Sequence, residues 1–289
     1  MSSVQVMTDS VACIPRELAE ENKIKVVPAA NIFVNGQSYI EGETISAEQA
    51  YQLIEKDPDR FVTSAIMPDY LVKVYQELST KSREILFITI ASALSAVNRA
   101  ANLAADLLRE QSPETTIRIV DSKACAGTQG LVVLAAAKAA AQGKSLDEVA
   151  TIAQRVREQS GGLMMLDTLR YIYRTGRMSK TAARIASIFN IKPINKLTPE
   201  GTIEMADRAR KRSDALNRLL NLIGREAATD ALHFMIAHAA APDMAQSFAQ
   251  QLGQRFKVLS LIITDYSPVM GYGTGPGAIF VGFHPELDL

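Results

Sequence analysis

Residues 84–122 read EILFITIASALSAVNRAANLAADLLREQSPETTIRIVDS, and their pattern predicts a parallel β-sheet. An apolar run rich in β-forming residues, EILFITI, is followed by an amphipathic stretch rich in Ala and Leu. A second apolar run, TIRIVDS, closes the segment. The order strand, helix, strand is typical of a βαβ unit, in which the two strands lie parallel in one sheet.

The same alternation extends in both directions, from Val4 to about Gly143. Upstream, VQVMTDS is strand-like, and Asn35-Gly36 predicts a hairpin between two further strand-like runs. Downstream, GTQGLVVLAAAKAAAQG is apolar on nearly all sides, so we expect it to form a buried helix. This half is therefore predicted to be a three-layer α/β/α domain with a parallel sheet.

The second half of the chain follows a different pattern. The helix before it ends at Gly161-Gly162, which predicts one domain at residues 1–160 and a second at residues 161–289. A hairpin through NKLTPEGTIEMADRAR is followed by a helix, a strand, a helix that starts at Pro242 and two closing strands. This order predicts a two-layer α+β domain with a mixed sheet.

The composition excludes several classes of protein. The 289 residues include 31 basic and 31 acidic side chains, so net charge gives no reason to expect a nucleic-acid partner. The N-terminal residues lack a signal-peptide pattern, and the longest apolar helix is too short to span a bilayer, so we expect a cytoplasmic protein without stable membrane insertion. The two cysteines fit a reducing compartment, and no Cys/His cluster predicts a metal site.

A glycine-rich stretch near the end, GYGTGPGAIF at residues 271–280, first suggests a phosphate-binding loop. The spacing excludes the dinucleotide pattern because Pro276 stands where a glycine is required, and no Lys-Ser or Lys-Thr pair follows. The apolar run AIFVGF comes next, so the stretch is predicted to be a loop that enters a strand. Its glycines are expected to let the backbone pass close to a ligand head group.

Two hydroxyl-rich turns are the strongest candidates for a binding site. One holds Thr63 and Ser64 before a helix that starts near Pro68, and the other runs from Ser92 to Ser95 before the next helix. Capping of helices is the ordinary role of such residues. Both turns are expected at the carboxyl ends of sheet strands, where their hydroxyls and the helix dipoles together suit one small anion such as a carboxylate.

Two strands also end alike, in Asp9-Ser10 and in Asp121-Ser122. In a parallel sheet the loops at the carboxyl ends of the strands are where ligands bind, so both pairs are expected near one crevice. They are either ligand-facing residues or turn and capping residues. The sequence leaves both interpretations open.

An ordered set of motifs that covers the whole chain resembles the DegV family. The motifs are TDSVACIP, VTSAIMP, IASALSAVNRAA, IVDSKACAGTQG, TLRYIYRTGRMS with FNIKPI, and PVMGYGTGPGAIFVGF. The resemblance implies a two-domain α/β fold with a long-chain fatty acid, palmitate-like or oleate-like, bound between the domains. It implies that Thr63 and Ser95 hold the carboxylate, with Ser64, Ser92 and Gly273 as further binding candidates.

Some DegV proteins present the acyl chain to a separate kinase that makes acyl-phosphate for phospholipid synthesis. The resemblance therefore implies a carrier subunit without catalytic residues or cofactor, which has a fatty acid kinase as its partner. Arg177 of the TGRMS segment is a candidate structural or head-group residue. An apolar tunnel lined by residues of LMML or FNIKPI is expected to hold the tail.

Several residues depart from the family pattern. Ala65 and Ile66 replace the usual Gln and Pro after the Thr-Ser turn, Ala96 replaces the glycine of the elbow, and Cys13 replaces an Asp. Many members carry a histidine where Gly273 stands. A binding module for a different amphiphile therefore stays open as an alternative. A phosphate-handling transferase that uses the glycine-rich stretch for phosphate is the other alternative.

Overall fold

The computed structural model describes residues 4–177 and 191–288. Its strands are β1 (Gln5–Asp9), β2 (Lys25–Val27), β3 (Ala30–Val34), β4 (Gln37–Ile40), β5 (Val62–Ala65), β6 (Glu84–Thr89), β7 (Thr116–Asp121), β8 (Gly161–Met165), β9 (Lys192–Leu197), β10 (Ile203–Ala209), β11 (Ala231–His238), β12 (Lys257–Asp265) and β13 (Ile279–Pro285). Its α-helices are α1 (Arg16–Glu21), α2 (Ala47–Lys56), α3 (Pro68–Ser79), α4 (Val97–Gln111), α5 (Ala126–Ala141), α6 (Leu146–Glu158), α7 (Arg170–Thr175), α8 (Arg212–Glu226), α9 (Pro242–Arg255) and α10 (Pro268–Thr274).

The first half is a three-layer α/β/α arrangement, as predicted. Its sheet has the strand order β2-β1-β6-β7, and all three neighbouring pairs are parallel. Helices α3 and α4 pack on the face that carries Met7 and Phe87. Helices α1, α5 and α6 pack on the face that carries Leu86 and Ile88. Burial on both faces explains why the strands read as continuous apolar runs.

A separate antiparallel sheet with the order β4-β3-β5 stands beside the parallel one. The predicted hairpin at Asn35-Gly36 joins β3 to β4, and both residues have positive φ, 51° and 79°, as a type I′ turn requires. The prediction that Thr63 and Ser64 form a turn at the end of a strand is wrong. They lie inside β5, where Thr63 is opposite Ile32.

The second half contains the predicted mixed sheet, with the order β10-β9-β8-β13-β11-β12. The pair β11 and β12 is parallel, and the other pairs are antiparallel. Helices α8 and α9 cover one face through side chains such as Leu219 and Phe248. The N-terminal turn of α5 lies against the other face, where a Cβ on Gly127 would be only 2.3 Å from the Met235 carbonyl oxygen.

The glycine-rich stretch is a loop only in its second half. Its first residues belong to α10, which begins after Ser267, whose hydroxyl accepts a hydrogen bond from the Met270 N–H. Gly275 and Gly277 then take positive φ values of 76° and 79°, and the chain enters β13. Pro268 fits the first turn of α10 because that position needs no backbone N–H.

All strands of the six-stranded sheet follow residue 160, and all strands of the other two sheets precede it. The division into domains at residues 1–160 and 161–289 stays a prediction.

Candidate functional site

A cavity of about 200 Å³ opens where the three sheets meet. The parallel sheet contributes the segments that follow β1 and β6, the small sheet contributes β5, and the six-stranded sheet contributes β8 and β10. The apolar side chains around it include Val11, Ile90, Leu94, Met164, Ile172, Ile203, Val269 and Met270. The hydroxyl-bearing residues around it are Thr63, Ser64, Ser95, Thr175, Tyr272 and Thr274. The cavity is therefore apolar overall with a polar region in its wall, a combination that suits an amphiphile.

Ser95 reaches the cavity from the elbow between β6 and α4. Asp9 holds one side of this elbow, because its Oδ2 accepts a hydrogen bond of 2.7 Å from the Ile90 N–H. Asp121 holds the other side, because it accepts hydrogen bonds from the Ser92 N–H at 3.2 Å and the Ser92 hydroxyl at 2.5 Å. The aspartates of the repeated Asp-Ser pairs thus position the elbow from both neighbouring strands.

Ser92 does not line the cavity. Its side chain is exposed and its hydroxyl donates to Asp121, whereas Ser95, three residues later, lines the cavity. The structure therefore brings Ser95 together with Thr63, Ser64 and Gly273, and leaves Ser92 outside that group.

Thr63 projects from β5, the edge strand of the small sheet. Within the described ranges 4–177 and 191–288, the hydroxyl of Thr63 has no hydrogen-bond partner. The Ser95 Oγ accepts only a long hydrogen bond, of 3.4 Å, from the Val97 N–H. Both side chains are half-buried, so both hydroxyls are free to donate to a ligand in the cavity.

Only one glycine of the glycine-rich stretch faces open space. A Cβ on Gly273 would meet nothing within 4 Å, and this residue lines the cavity. A Cβ on Gly271 would lie 2.4 Å from the Tyr51 hydroxyl, and a Cβ on Gly275 would lie 2.2 Å from the Tyr171 ring. Two of the four glycines thus make room for tyrosine side chains, and of the four only Gly273 lines the cavity, where the backbone was expected to pass close to a head group.

Arg177 is the only charged residue among the described residues that line the cavity. Its Nε donates to the Leu94 carbonyl at 3.4 Å, and its Nη1 donates to the Thr175 carbonyl at 2.6 Å. The guanidinium therefore lies beside the elbow that carries Ser95. Lys180 and Arg184, the basic residues that follow Arg177 in the sequence, lie outside the described residues.

A buried carboxylate that the sequence analysis missed supports the cavity from behind. Glu41 is 3% exposed, and it accepts hydrogen bonds from the Val269 N–H at 3.0 Å, the Ala29 N–H at 3.3 Å and the Ser10 hydroxyl. Two of these donor residues, Ala29 and Val269, also line the cavity. Burial raises the pKa of the Glu41 carboxyl above its usual value.

Of the residues predicted to line a tunnel for the tail, only one described residue lines the cavity. Of LMML, Met164 lines the cavity, whereas Leu163 and Met165 point to the opposite face and pack under α8 and α9. The alternation of side chains along β8 explains this difference. In FNIKPI, Phe189 and Asn190 lie outside the described residues, and residues 191–194 do not line the cavity.

Both cysteines are free and buried. Cys125 lines the cavity, and burial raises the pKa of its thiol to about 12. Residues 4–177 and 191–288 contain no group of three His, Cys, Asp or Glu side chains that could hold a metal ion. Among the helices of those residues, none is both long and apolar enough to cross a membrane.

Comparison with known proteins assigns the family. Residues 3–286 match the model of a family described as uncharacterised proteins of the DegV family. A DegV domain-containing protein of Streptomyces coelicolor is 29% identical over 280 residues, which cover 96% of this chain and 97% of that protein. One from Caldanaerobacter subterraneus is 30% identical over 222 residues, 76% of each chain.

Solved structures share the fold. A DegV family protein from Thermus thermophilus, described as fatty acid binding, has a TM-score of 0.89 at 24% identity and covers 99% of this chain and 100% of its own. One from Eubacterium eligens, loaded with heptadecanoic acid, has a TM-score of 0.86 at 19% identity and covers 98% and 100%. The family model spans nearly the whole sequence, and the chain therefore belongs to the DegV family.

Proposed function

We propose that this protein binds a long-chain fatty acid in the cavity, with the carboxylate held by Thr63 and Ser95. The observation that carries this proposal is the pair of hydroxyls, from β5 and from the β6 elbow, that open onto one apolar cavity. Arg177 supplies a positive charge beside Ser95. A carboxylate removed from water needs such partners, because an ionised group without hydrogen bonds is heavily penalised.

The free energy expected from burial of the acyl tail supports the proposal. Burying about fifteen methylenes at about 0.8 kcal/mol each gives a gross gain of roughly 12 kcal/mol before ordering costs. The apolar wall thus supplies affinity, and the hydroxyls fix the orientation. The Thermus and Eubacterium proteins described above, one named as fatty acid binding and the other loaded with heptadecanoic acid, support the same ligand class.

The protein acts in this proposal as a non-catalytic carrier in the cytosol. It presents the acyl chain to a separate kinase that makes acyl-phosphate for phospholipid synthesis. The DegV structures described as fatty acid binding or loaded with heptadecanoic acid support the lipid-binding part of the proposal, and the kinase is its finer part.

Extraction of the purified protein with organic solvent, followed by mass spectrometry, tests the ligand. We expect a co-purified fatty acid, or else saturable binding of added palmitate or oleate. A protein that releases no fatty acid and binds neither of these acids would overturn the proposal.

Replacing the two hydroxyls tests the site. The double variant Thr63→Val with Ser95→Ala is expected to weaken palmitate binding at least tenfold, since two hydrogen bonds to a charged group are worth about 1.5–3 kcal/mol each. Its unfolding temperature should stay nearly unchanged because neither hydroxyl holds the fold together. Ser247→Ala, on the exposed surface of α9, is the control. A folded double variant with wild-type affinity would count against the site.

A different amphiphile is the second candidate, and the open space at Gly273 favours it. The space beside Gly273, where an added Cβ would meet nothing within 4 Å, can hold a head group larger than a carboxylate. The same extraction distinguishes the two candidates, because a lipid with a larger head group has a different mass from a free fatty acid.

A further inference from the structure

Tyr272, in the last turn of α10, lines the cavity and carries a hydroxyl for which the fold supplies no partner. The residue is only 9% exposed. Within the part of the chain that the structure describes, its hydroxyl makes no hydrogen bond. The hydroxyl of Tyr75, by comparison, donates to the Ala101 carbonyl at 3.2 Å. A polar group that is largely removed from water calls for a partner, and the cavity is where Tyr272 can meet one.

The ring of Tyr272 lies on the same face of the small sheet as Thr63. Its centroid is 5.1 Å from that of the Phe61 ring. Phe61 comes two residues before Thr63, and side chains two residues apart in an extended chain point to the same face. Tyr272 also packs in one hydrophobic cluster with Ile32, which is directly opposite Thr63. Tyr272 and Thr63 are therefore neighbours in one wall of the cavity.

Two contacts fix the position of this ring. Phe61, which is fully buried, packs against it at an interplanar angle of 31°. The guanidinium of Arg174 lies 4.8 Å from the ring centroid, as in a cation–π contact. Arg174 is itself held, because its Nη1 donates to the Pro58 carbonyl and, at 3.1 Å, to Asp59. The phenol is thus preorganised, and a preorganised donor loses little conformational freedom when a ligand binds.

We propose that the Tyr272 hydroxyl donates a third hydrogen bond to the carboxylate of the bound fatty acid, so that the site distinguishes an ionised head group from a neutral ester. The inference rests on the fatty-acid function proposed above and adds a recognition residue to that site. A carboxylate has about four lone-pair sites, so it can accept from Thr63, Ser95 and Tyr272 at once. Hydrogen bonds to an ionised acceptor are roughly twice as strong as those to a neutral one, so the third donor favours the acid over its ester.

The test compares palmitate with methyl palmitate, which has the same tail and no charge. Affinities are measured by titration after any native lipid has been removed. Tyr272→Phe takes away only the hydroxyl and keeps the ring between Phe61 and Arg174. We expect it to bind palmitate about tenfold more weakly than the wild type, and methyl palmitate at most about threefold more weakly. Tyr173→Phe makes the same change on a side chain of α7 that is 59% exposed, and it should bind both ligands as the wild type does.

The absorption of tyrosine provides a second measurement that does not depend on affinity. The sequence has eight tyrosines and no tryptophan, so its near-ultraviolet absorption reports mainly on the surroundings of the phenols. Donation of a hydrogen bond to a carboxylate changes the absorption of a phenol. We expect palmitate to produce a difference spectrum in the wild type and in Tyr173→Phe that is largely lost in Tyr272→Phe.

The outcomes separate this inference from the proposed function. If Tyr272→Phe binds palmitate as tightly as the wild type, the inference fails while the fatty-acid function stands. An equal loss of affinity for palmitate and for methyl palmitate would also overturn it, because the hydroxyl would then act on packing and not on the charged head group. If the wild type binds neither ligand, the proposed function fails as well.

Discussion

At the level of single residues, two aspartates, one buried and one half-buried, determine where Ser95 lies. Asp9 and Asp121 sit at the ends of the strands on either side of β6, and each accepts hydrogen bonds from the elbow that β6 enters. The sequence left these residues as either ligand-facing or turn residues. Their hydrogen bonds now favour a positioning role for both, because each binds backbone N–H groups of the elbow.

The ionisation of Asp9 predicts a pH dependence of stability. Burial raises its pKa from 3.8 to about 7, although hydrogen bonds from Ile90, Gln129 and Val11 oppose the shift. An acid whose pKa is higher in the folded state stabilises the fold only while protonated. That contribution is fully present below the unfolded pKa of 3.8 and is lost as the pH rises through about 7, at up to about 1.4 kcal/mol per pH unit.

We therefore expect the unfolding temperature of the wild-type protein to fall between about pH 4 and about pH 7, the interval between the unfolded and folded pKa values of Asp9. Asp9→Asn carries no titrating group and should show a shallower fall. Glu41, whose pKa is also raised by burial, accounts for the slope that remains. Asp243→Asn, on the exposed first turn of α9, serves as the control and should keep the wild-type slope. Calorimetry over this pH range measures all three, and equal slopes for wild type and Asp9→Asn would contradict the prediction.

At the level of elements, hairpins and helix caps can be predicted from neighbouring residues, whereas contacts between distant segments cannot. The hairpin predicted at Asn35-Gly36 is present. The structure also has capping boxes of Ser46 with Gln49 and of Ser145 with Glu148. Each depends on residues within four positions of one another, so the sequence shows it directly. Glu41 meets Val269, 228 positions away, and no local pattern marks such a contact.

Strand boundaries show a related limit. Thr63 and Ser64 looked like a turn because hydroxyl residues before Pro68 suit a helix start. Pairing with β3 instead extends them as an edge strand, since Ile32 offers a partner across the sheet. Tertiary pairing thus overrode the local preference. The two residues still line the cavity.

The contacts of Glu41 predict that it holds α10 in place. Glu41→Ala leaves the N–H groups of Val269 and Ala29 without their acceptor, at a cost of about 1–3 kcal/mol for each. We expect a lower unfolding temperature and faster hydrogen exchange in peptides that cover α10. Glu204→Ala, on the exposed side of β10, is the matched control and should change neither. Unchanged exchange at α10 in Glu41→Ala would show that this carboxylate does not hold the helix.

At the level of the whole molecule, one helix belongs to both halves of the chain. Val132, Val133 and Ala136 of α5 pack with Leu86 and Ile88 of the parallel sheet. The first turn of the same helix lies against the backbone of the six-stranded sheet. A Cβ on Gly282 of β13 would be 2.3 Å from the Thr128 nitrogen of α5. The two halves are therefore expected to unfold together, although the chain reads as two domains.

Adding one methyl group at this contact tests the coupling. Gly127→Ala would place its Cβ 2.3 Å from the Met235 carbonyl oxygen, so α5 must move away from β11. We expect a loss of stability of at least about 1 kcal/mol, in the range of overpacked cores, and a parallel increase of hydrogen exchange in β6 and β11. Gly253→Ala is the matched control, because a Cβ there meets nothing within 4 Å and alanine favours the helix by up to about 1 kcal/mol. If exchange rises in only one of the two strands, the halves unfold independently. The boundary near residue 160 then separates two independently stable units.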